Sequence, residues 1–292
     1  MPTDNQTRVE LQSLAIKIAR SENLASPPEV VKSVLKAIGE DDASGRAIEK
    51  LIERDSALTA KVLRAANSAY YGCTNIPTVG RAISVLGLNT VRSLIVSIAF
   101  GQMMASRTLA KNFDKLACWK HSLAVATAAR IIGKMKMPMK AEELYAAGML
   151  HDVGLLVLDR FCPNELDAAI KLAFEKEITL HDAENRILGF DHSAVGTLLA
   201  EKWSLPPVIS DAIQYQFDPM MSANQFETTC IIATSEVLAD QFGFSNNSPA
   251  GLLTNDPLVE DSVGLPLEQL VIVGQVMVNE VAQAQRSFHM AA

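Results

Sequence analysis

Aromatic side chains are scarce in this chain: Phe, Trp and Tyr make up 5% of its 292 residues. A core with so few large rings must be built from Leu, Ile, Val, Ala and Met, a palette that suits helices better than sheets. No run alternates with period two for long enough to form a strand. Cysteine is sparse as well. Cys73, Cys118, Cys162 and Cys230 are scattered with no C-x-x-C spacing, which fits free buried thiols in a reducing cytoplasm. No apolar run approaches the length of a membrane span, and Met1 to Arg20 is polar with no signal-peptide core. The expectation is a cytoplasmic protein without a membrane segment. A basic block is missing too. The net charge is -7, and it is uneven: residues 1–110 carry 13 Lys/Arg against 10 Asp/Glu, the remainder 13 against 23. The acidic second part would repel a phosphate backbone, so nucleic acid is not an expected partner. There is no Gly-rich phosphate loop, no G-x-S-x-G and no H-E-x-x-H.

What is present is helical periodicity from end to end. Leu11, Leu14 and Ile18 share one face. Pro27-Pro28 precede a stripe of Val31, Val34, Leu35 and Ile38 that Gly39 closes. Asp41 to Ser44 reads as a turn, and Ile48, Leu51 and Ile52 follow on one face. Asp55 caps a helix with Leu58, Val62, Leu63 and Ala66 inward. A short helix ends at Gly87, and Asn89 is the expected cap of the next. From Phe113 a long helix runs to Pro138, and another is expected unbroken from Glu142 through Leu158. Further helices are expected at 164–176, 180–188, 192–203, 207–216, about 224–242 and 267–281, with 243–264 as a linker. The fold class is all-α, in two lobes: 1–110 as an N-terminal helical lobe, 111–242 as a second helical lobe, and 243–292 as linker and C-terminal helix.

Two clusters stand out. Gly148-Met149-Leu150-His151-Asp152-Val153-Gly154 places an imidazole and a carboxylate inside an apolar run, where each needs a hydrogen bond, an ion partner or a metal. His121, in another apolar helix, is the natural third group. His192 after the cap Asp191, and Glu236 beside Val237 and Leu238, are further candidates. Imidazole and carboxylate together suit a divalent transition metal, whose bound water can become a nucleophile, with Asp152 the candidate to orient it. A buried structural network of the same groups is the other reading. His181, beside Asp182, reads as a solvated helix residue. Cys118, three residues before His121, is either an inert buried thiol or the partner of that imidazole. The second cluster is Asn67-Ser68-Ala69-Tyr70-Tyr71-Gly72, which is either a helix end turning on its glycine or an interaction motif built on Asn67, Ser68, Tyr70, Tyr71 and Gly72.

At these clusters the sequence resembles the HDOD family, the HD-related output domains of bacterial signalling proteins. The matching residues are Pro27-Pro28 with Val31, Asp55 to Leu63, Asn67 to Gly72, Ala82-Ile83 with Leu86-Gly87, His121 to Ala124, Gly148 to Gly154, and Phe190 to Gly196. The resemblance covers roughly residues 20–240. It implies a helical lobe joined to one like the HD metal-dependent phosphohydrolases, with His121, His151 and Asp152 where metal ligands would be and Glu236 in place of a later aspartate. His192 matches one additional ligand. Signalling HD phosphodiesterases carry lysine where Leu155 stands, and a paired histidine near Gln214-Tyr215-Gln216. The resemblance therefore implies at most a single divalent ion, no other cofactor, and a regulatory module that contacts other signalling proteins, with oligomers open. A metal-dependent phosphohydrolase acting on a nucleotide or phosphodiester is the alternative.

Overall fold

The computed structural model describes residues 4–21, 32–34, 45–67, 75–104 and 108–288. Pro27-Pro28, Val31, Gly39, the 41–44 turn, Ser68 to Gly72, Cys73 and His289 lie outside the described residues. Among the described residues there is helix and no strand.

The first helices are α1 (Asp4–Arg20), α2 (Gly45–Glu53), α3 (Ser56–Ala66), α4 (Val79–Leu86) and α5 (Leu88–Met104). They form where the periodicity places apolar residues on one side. Ile48 and Ile52 of α2, Leu58 and Val62 of α3, and Val79 and Ala82 of α4 are buried together. Asp55 caps α3 by accepting from Leu58 N at 3.0 Å. Asn67 closes its other end: Nδ2 donates to Leu63 O (2.8 Å) and Ile76 O (2.9 Å), and Oδ1 accepts from Ile76 N (2.6 Å). That satisfies a helix-end carbonyl and pins the returning chain. Gly87, at φ +86°, lets α5 leave α4 at 118°. Asn89 is no cap, because α5 already begins at Leu88.

The second set comprises α6 (Lys115–Lys136), α7 (Ala141–Leu150), α8 (Gly154–Phe161), α9 (Pro163–Lys176), α10 (Leu180–Ile187), α11 (His192–Trp203), α12 (Pro207–Tyr215) and α13 (Phe226–Gln241). Then come α14 (Pro257–Val263), inside the stretch expected to be a linker, and α15 (Leu267–Phe288). Helix α6 is buried over most of its length, with α7, α13 and α15 packed on it. Arg130 of α6 reaches Glu280 of α15 at 2.8 Å and lies 4.7 Å from the centre of the Tyr145 ring. Helix α5 joins the two sets. Its buried Ser97 meets Tyr145 Oη at 2.7 Å, and Ser93 donates to Glu142. Helix α1 packs on α11, where Lys202 Nζ donates to Ile18 O (2.6 Å) and Ser21 O (2.7 Å). No single described helix is long and apolar enough to cross a membrane.

Two glycines set the close approaches on which the site depends. A Cβ on Gly148 would lie 2.7 Å from Ala126 Cα, so only glycine lets α7 sit against α6. A Cβ on Gly154 would lie 2.8 Å from Gly196 N and strike the His192 carbonyl, so only glycine lets α8 touch the start of α11.

Candidate metal centre

The helix expected from Glu142 through Leu158 is interrupted at the His-Asp pair. Helix α7 stops at Leu150 and α8 restarts at Gly154. Between them the backbone tightens into i→i+3 bonds: Val153 N to Leu150 O (3.0 Å) and Leu155 N to Asp152 O (3.0 Å). Periodicity missed this break because both halves are apolar and in phase. The break has a chemical effect. In a continuous helix, consecutive side chains diverge by about 100°; here His151 Nε2 and Asp152 Oδ2 converge to 3.1 Å. Gln216, fully inside, supports the break by donating from Nε2 to His151 O at 3.1 Å. Gln216 is thus a backbone brace, and Gln214 points outward.

His121 from α6 and Glu236 from α13 complete the group. One donor atom from each of His121, His151, Asp152 and Glu236 lies within 4.8 Å of all the others, and all four residues are buried. His121 Nε2 is 3.2 Å from His151 Nε2, 3.3 Å from Glu236 Oε1 and 3.5 Å from Asp152 Oδ2. His151 Nε2 and Glu236 Oε1 are in direct contact. Bonds of about 2.0–2.2 Å to a first-row ion make donor–donor edges of roughly 3.0–3.5 Å, so the His121 spacings and the His151–Asp152 spacing match one cation, while the His151–Glu236 contact is closer than a bound ion would leave it.

The ring orientations fit as well. His121 Nδ1 donates to Phe244 O (2.5 Å) and His151 Nδ1 donates to Gly148 O (2.6 Å). A carbonyl only accepts, so both Nδ1 atoms carry hydrogen and both neutral rings turn an Nε2 lone pair to the same point. Without a cation, a proton fills that role. Burial alone would lower the His151 pKa, but the Asp152 and Glu236 carboxylates outweigh it and raise it to about 10. Burial likewise opposes ionisation of Glu236, yet His151 and His121 hold it down at about 2. Asp152 is kept well below the usual carboxylate range against burial by His151 and His192.

His192 stands outside the group of four. Its Nδ1 meets Glu184 Oε2 at 2.6 Å, and its backbone N–H donates to the same oxygen at 2.9 Å. Its Nε2 lies 3.0 Å from Asp152 Oδ1 but out of hydrogen-bond alignment, a buried nitrogen aimed at the centre's edge. Glu184, with no exposed surface, is not among the candidates that the sequence offers. Its signal was there: it lies four residues after Leu180 and four before Leu188, on the apolar stripe of α10. Asn246, which donates to Asp152 Oδ2, was missed as well, and a Ser/Asn-rich loop offers no periodic signal for it. His181 is not simply solvated. It pairs with Asp191 at 2.8 Å and stacks 4.0 Å from the Phe217 ring. Cys118 is no thiolate partner, because burial and the nearby Asp152 charge push its thiol well up.

A cavity of about 40 Å³ opens onto His121, Asp152, His192 and Glu236, and a neighbouring one of about 320 Å³ shares Phe217, Glu236 and Leu253 with it. The described lining of the two contains Asp152, Asp218, Glu236, Asp240 and Asp256 and no Lys or Arg. Leu155, where a phosphate-facing cation would stand by resemblance, is wholly inside the core.

The sequence profile of the HDOD domain matches residues 24–219. The chain belongs to the HDOD family. An HDOD domain protein of unknown function from Geobacter sulfurreducens superposes with a TM-score of 0.81 at 27% identity, over 96% of this chain and 98% of that one. A candidate phosphohydrolase of Shewanella amazonensis SB2B superposes at 0.71 with 22% identity, over 96% and 98% of the two chains. At that identity it attests the HDOD fold alone. An uncharacterized protein of Treponema pallidum (strain Nichols) is 23% identical over 246 residues, 79% of this chain and 47% of that entire protein. This HDOD chain therefore spans about half the length of the curated relative that it matches.

Proposed function

We propose that this HDOD chain is a cytoplasmic signal-transduction module that works through contacts with other signalling proteins, and that its His/Asp/Glu group takes one divalent cation without turning over a phosphoester. The observation that carries this reading is the charge of the cleft. Phosphoryl chemistry needs fixed cations or donors where negative charge develops. Beyond Asp152 and Glu236 themselves, the described walls around the group add Asp218, Asp240 and Asp256 and no Lys or Arg. A second carboxylate-rich wall repels a phosphate as surely as it attracts a metal ion.

In this reading His121, His151, Asp152 and Glu236 hold the ion. When bound, the ion would supply local positive charge and polarise water. Glu184 holds His192 with its Nε2 beside the far oxygen of Asp152, Gln216 braces the helix break, and Gly154 lets α11 approach. The test is capture from native cell extract with the chain tagged, alongside size-exclusion chromatography. A defined partner that also binds when Asp152 is replaced supports the reading. A solitary chain with robust turnover refutes it.

The metal-dependent phosphohydrolase reading rests on a different observation: both imidazoles are locked by backbone carbonyls in the tautomer a metal needs. A structural network alone does not require that both rings face their lone pairs together. Turnover of a nucleotide or phosphodiester by the Mn²⁺-loaded chain, lost in Asp152→Asn, would establish it.

A further inference from the structure

The group of four donors already has an internal occupant at its open edge. After α13 the chain reverses at Gly243 (φ +84°) and lays residues 244–248 across the centre. Phe244 anchors this strap at both backbone atoms: its N–H donates to Ala239 O (2.8 Å), and its carbonyl accepts from His121 Nδ1. Ser245 Oγ closes the turn on Ser248 O at 2.9 Å.

Within the strap, the orientation of the Asn246 amide is dictated from outside the site. The Asp114 backbone N–H must donate, so it fixes Asn247 Oδ1 as its acceptor (2.7 Å). Asn247 Nδ2 is thereby the donor to Asp114 O (3.2 Å) and to Asn246 Oδ1 (2.8 Å). Asn246 is left with its NH₂ facing Asp152 Oδ2, to which it donates. That oxygen is the one shared with both imidazoles. An amide carbonyl in this place would be a metal ligand. An N–H is instead the positive end of a dipole, set on the carboxylate where a cation would compete for it.

We propose that Asn246 gates the centre: a divalent cation loads onto Asp152 only as the Asn246 amide withdraws, and residues 245–248 lift with it while Phe244 keeps its carbonyl on His121. This rests on the cation reading given above. The opposing possibility is that Asn246 merely orients Asp152, as outer partners of metal-bound carboxylates do; its loss then costs about 10–100-fold in affinity.

The test is titration of the full chain with Co²⁺ alone, followed by calorimetry and the visible cobalt spectrum, for wild type, Asn246→Ala and Asn247→Gly. The glycine change frees the anchor at φ +55° without touching Asp152. Gating requires Co²⁺ to bind Asn246→Ala about tenfold more tightly than wild type, with Asn247→Gly shifted the same way. It also requires amide exchange in 245–248 to quicken when wild type takes up Co²⁺. Unchanged or weaker binding in Asn246→Ala, with wild type binding well, removes the gate and leaves the cation site. Failure of all three proteins to bind removes both.

Discussion

Replacing Asp152 by Asn keeps the shape of the side chain and deletes its charge. In the wild type, Asp152 is 2% exposed and lies 3.1 Å from His151 Nε2, 3.5 Å from His121 Nε2 and 3.0 Å from His192 Nε2. Removing one member of a buried ion pair costs about 3–5 kcal/mol; Glu236 still faces His151, so the low end, about 3 kcal/mol, is expected. The pH dependence follows from the shifts. His151 is raised from 6.5 to about 10, so its contribution is fully present below about pH 6.5 and is lost as pH rises toward 10. Asp152 and Glu236 are depressed, so theirs is present above the ordinary carboxylate range and is lost on acidification, for Glu236 from about 4.5 to 2. The metal-free cluster therefore stabilises the fold most between about pH 4.5 and 6.5. Urea melts of wild type and Asp152→Asn in chelator should differ most near pH 5.5, and the gap should shrink steadily by pH 9.5. A gap that is flat with pH, or an Asn variant more stable than wild type at pH 5.5, would refute the charge network.

Gly154→Ala should lower stability by about 1–3 kcal/mol through overpacking, read as a fall in melting temperature, because its methyl strikes the His192 carbonyl. Gly243→Ala, which meets no atom within 4 Å but holds φ +84°, should cost less, about 1 kcal/mol. Lys202→Met should leave global stability within about 1 kcal/mol of wild type yet speed amide exchange along α1, since its ammonium holds two carbonyls at that helix's end. Native Cys118 should resist alkylation at pH 8, reacting only after unfolding, because burial keeps its thiol protonated.

Much of the fold was legible because helices print their buried face at fixed spacing. Ile48 with Ile52, Leu58 with Val62, and the caps Asp55 and Asp191 all sit where periodicity and capping chemistry put them. His121, His151 and Asp152 were visible as polar residues in apolar helices, and the structure brings them together with Glu236. What escaped has no short-range signature. The break between Leu150 and Gly154 interrupts the helix without changing its hydrophobic phase. Asn246 acquires its role from Asp114, more than a hundred residues away, through Asn247. The helix Pro257–Val263 hides in a segment rich in turn formers, where the cap Asp256 and the N-terminal Pro257 are its only local cues.

On the proposed function, a cation site persists in a cleft unable to grip a phosphoester. The most direct measurement is one assay on one sample: metal content per chain after Mn²⁺ loading, with hydrolysis of a nucleotide and phosphodiester panel followed in the same tube. One ion per chain, absent in Asp152→Asn, with hydrolysis no faster than the variant's, is the expected result. Hydrolysis that rises with metal occupancy and vanishes in Asp152→Asn would contradict it.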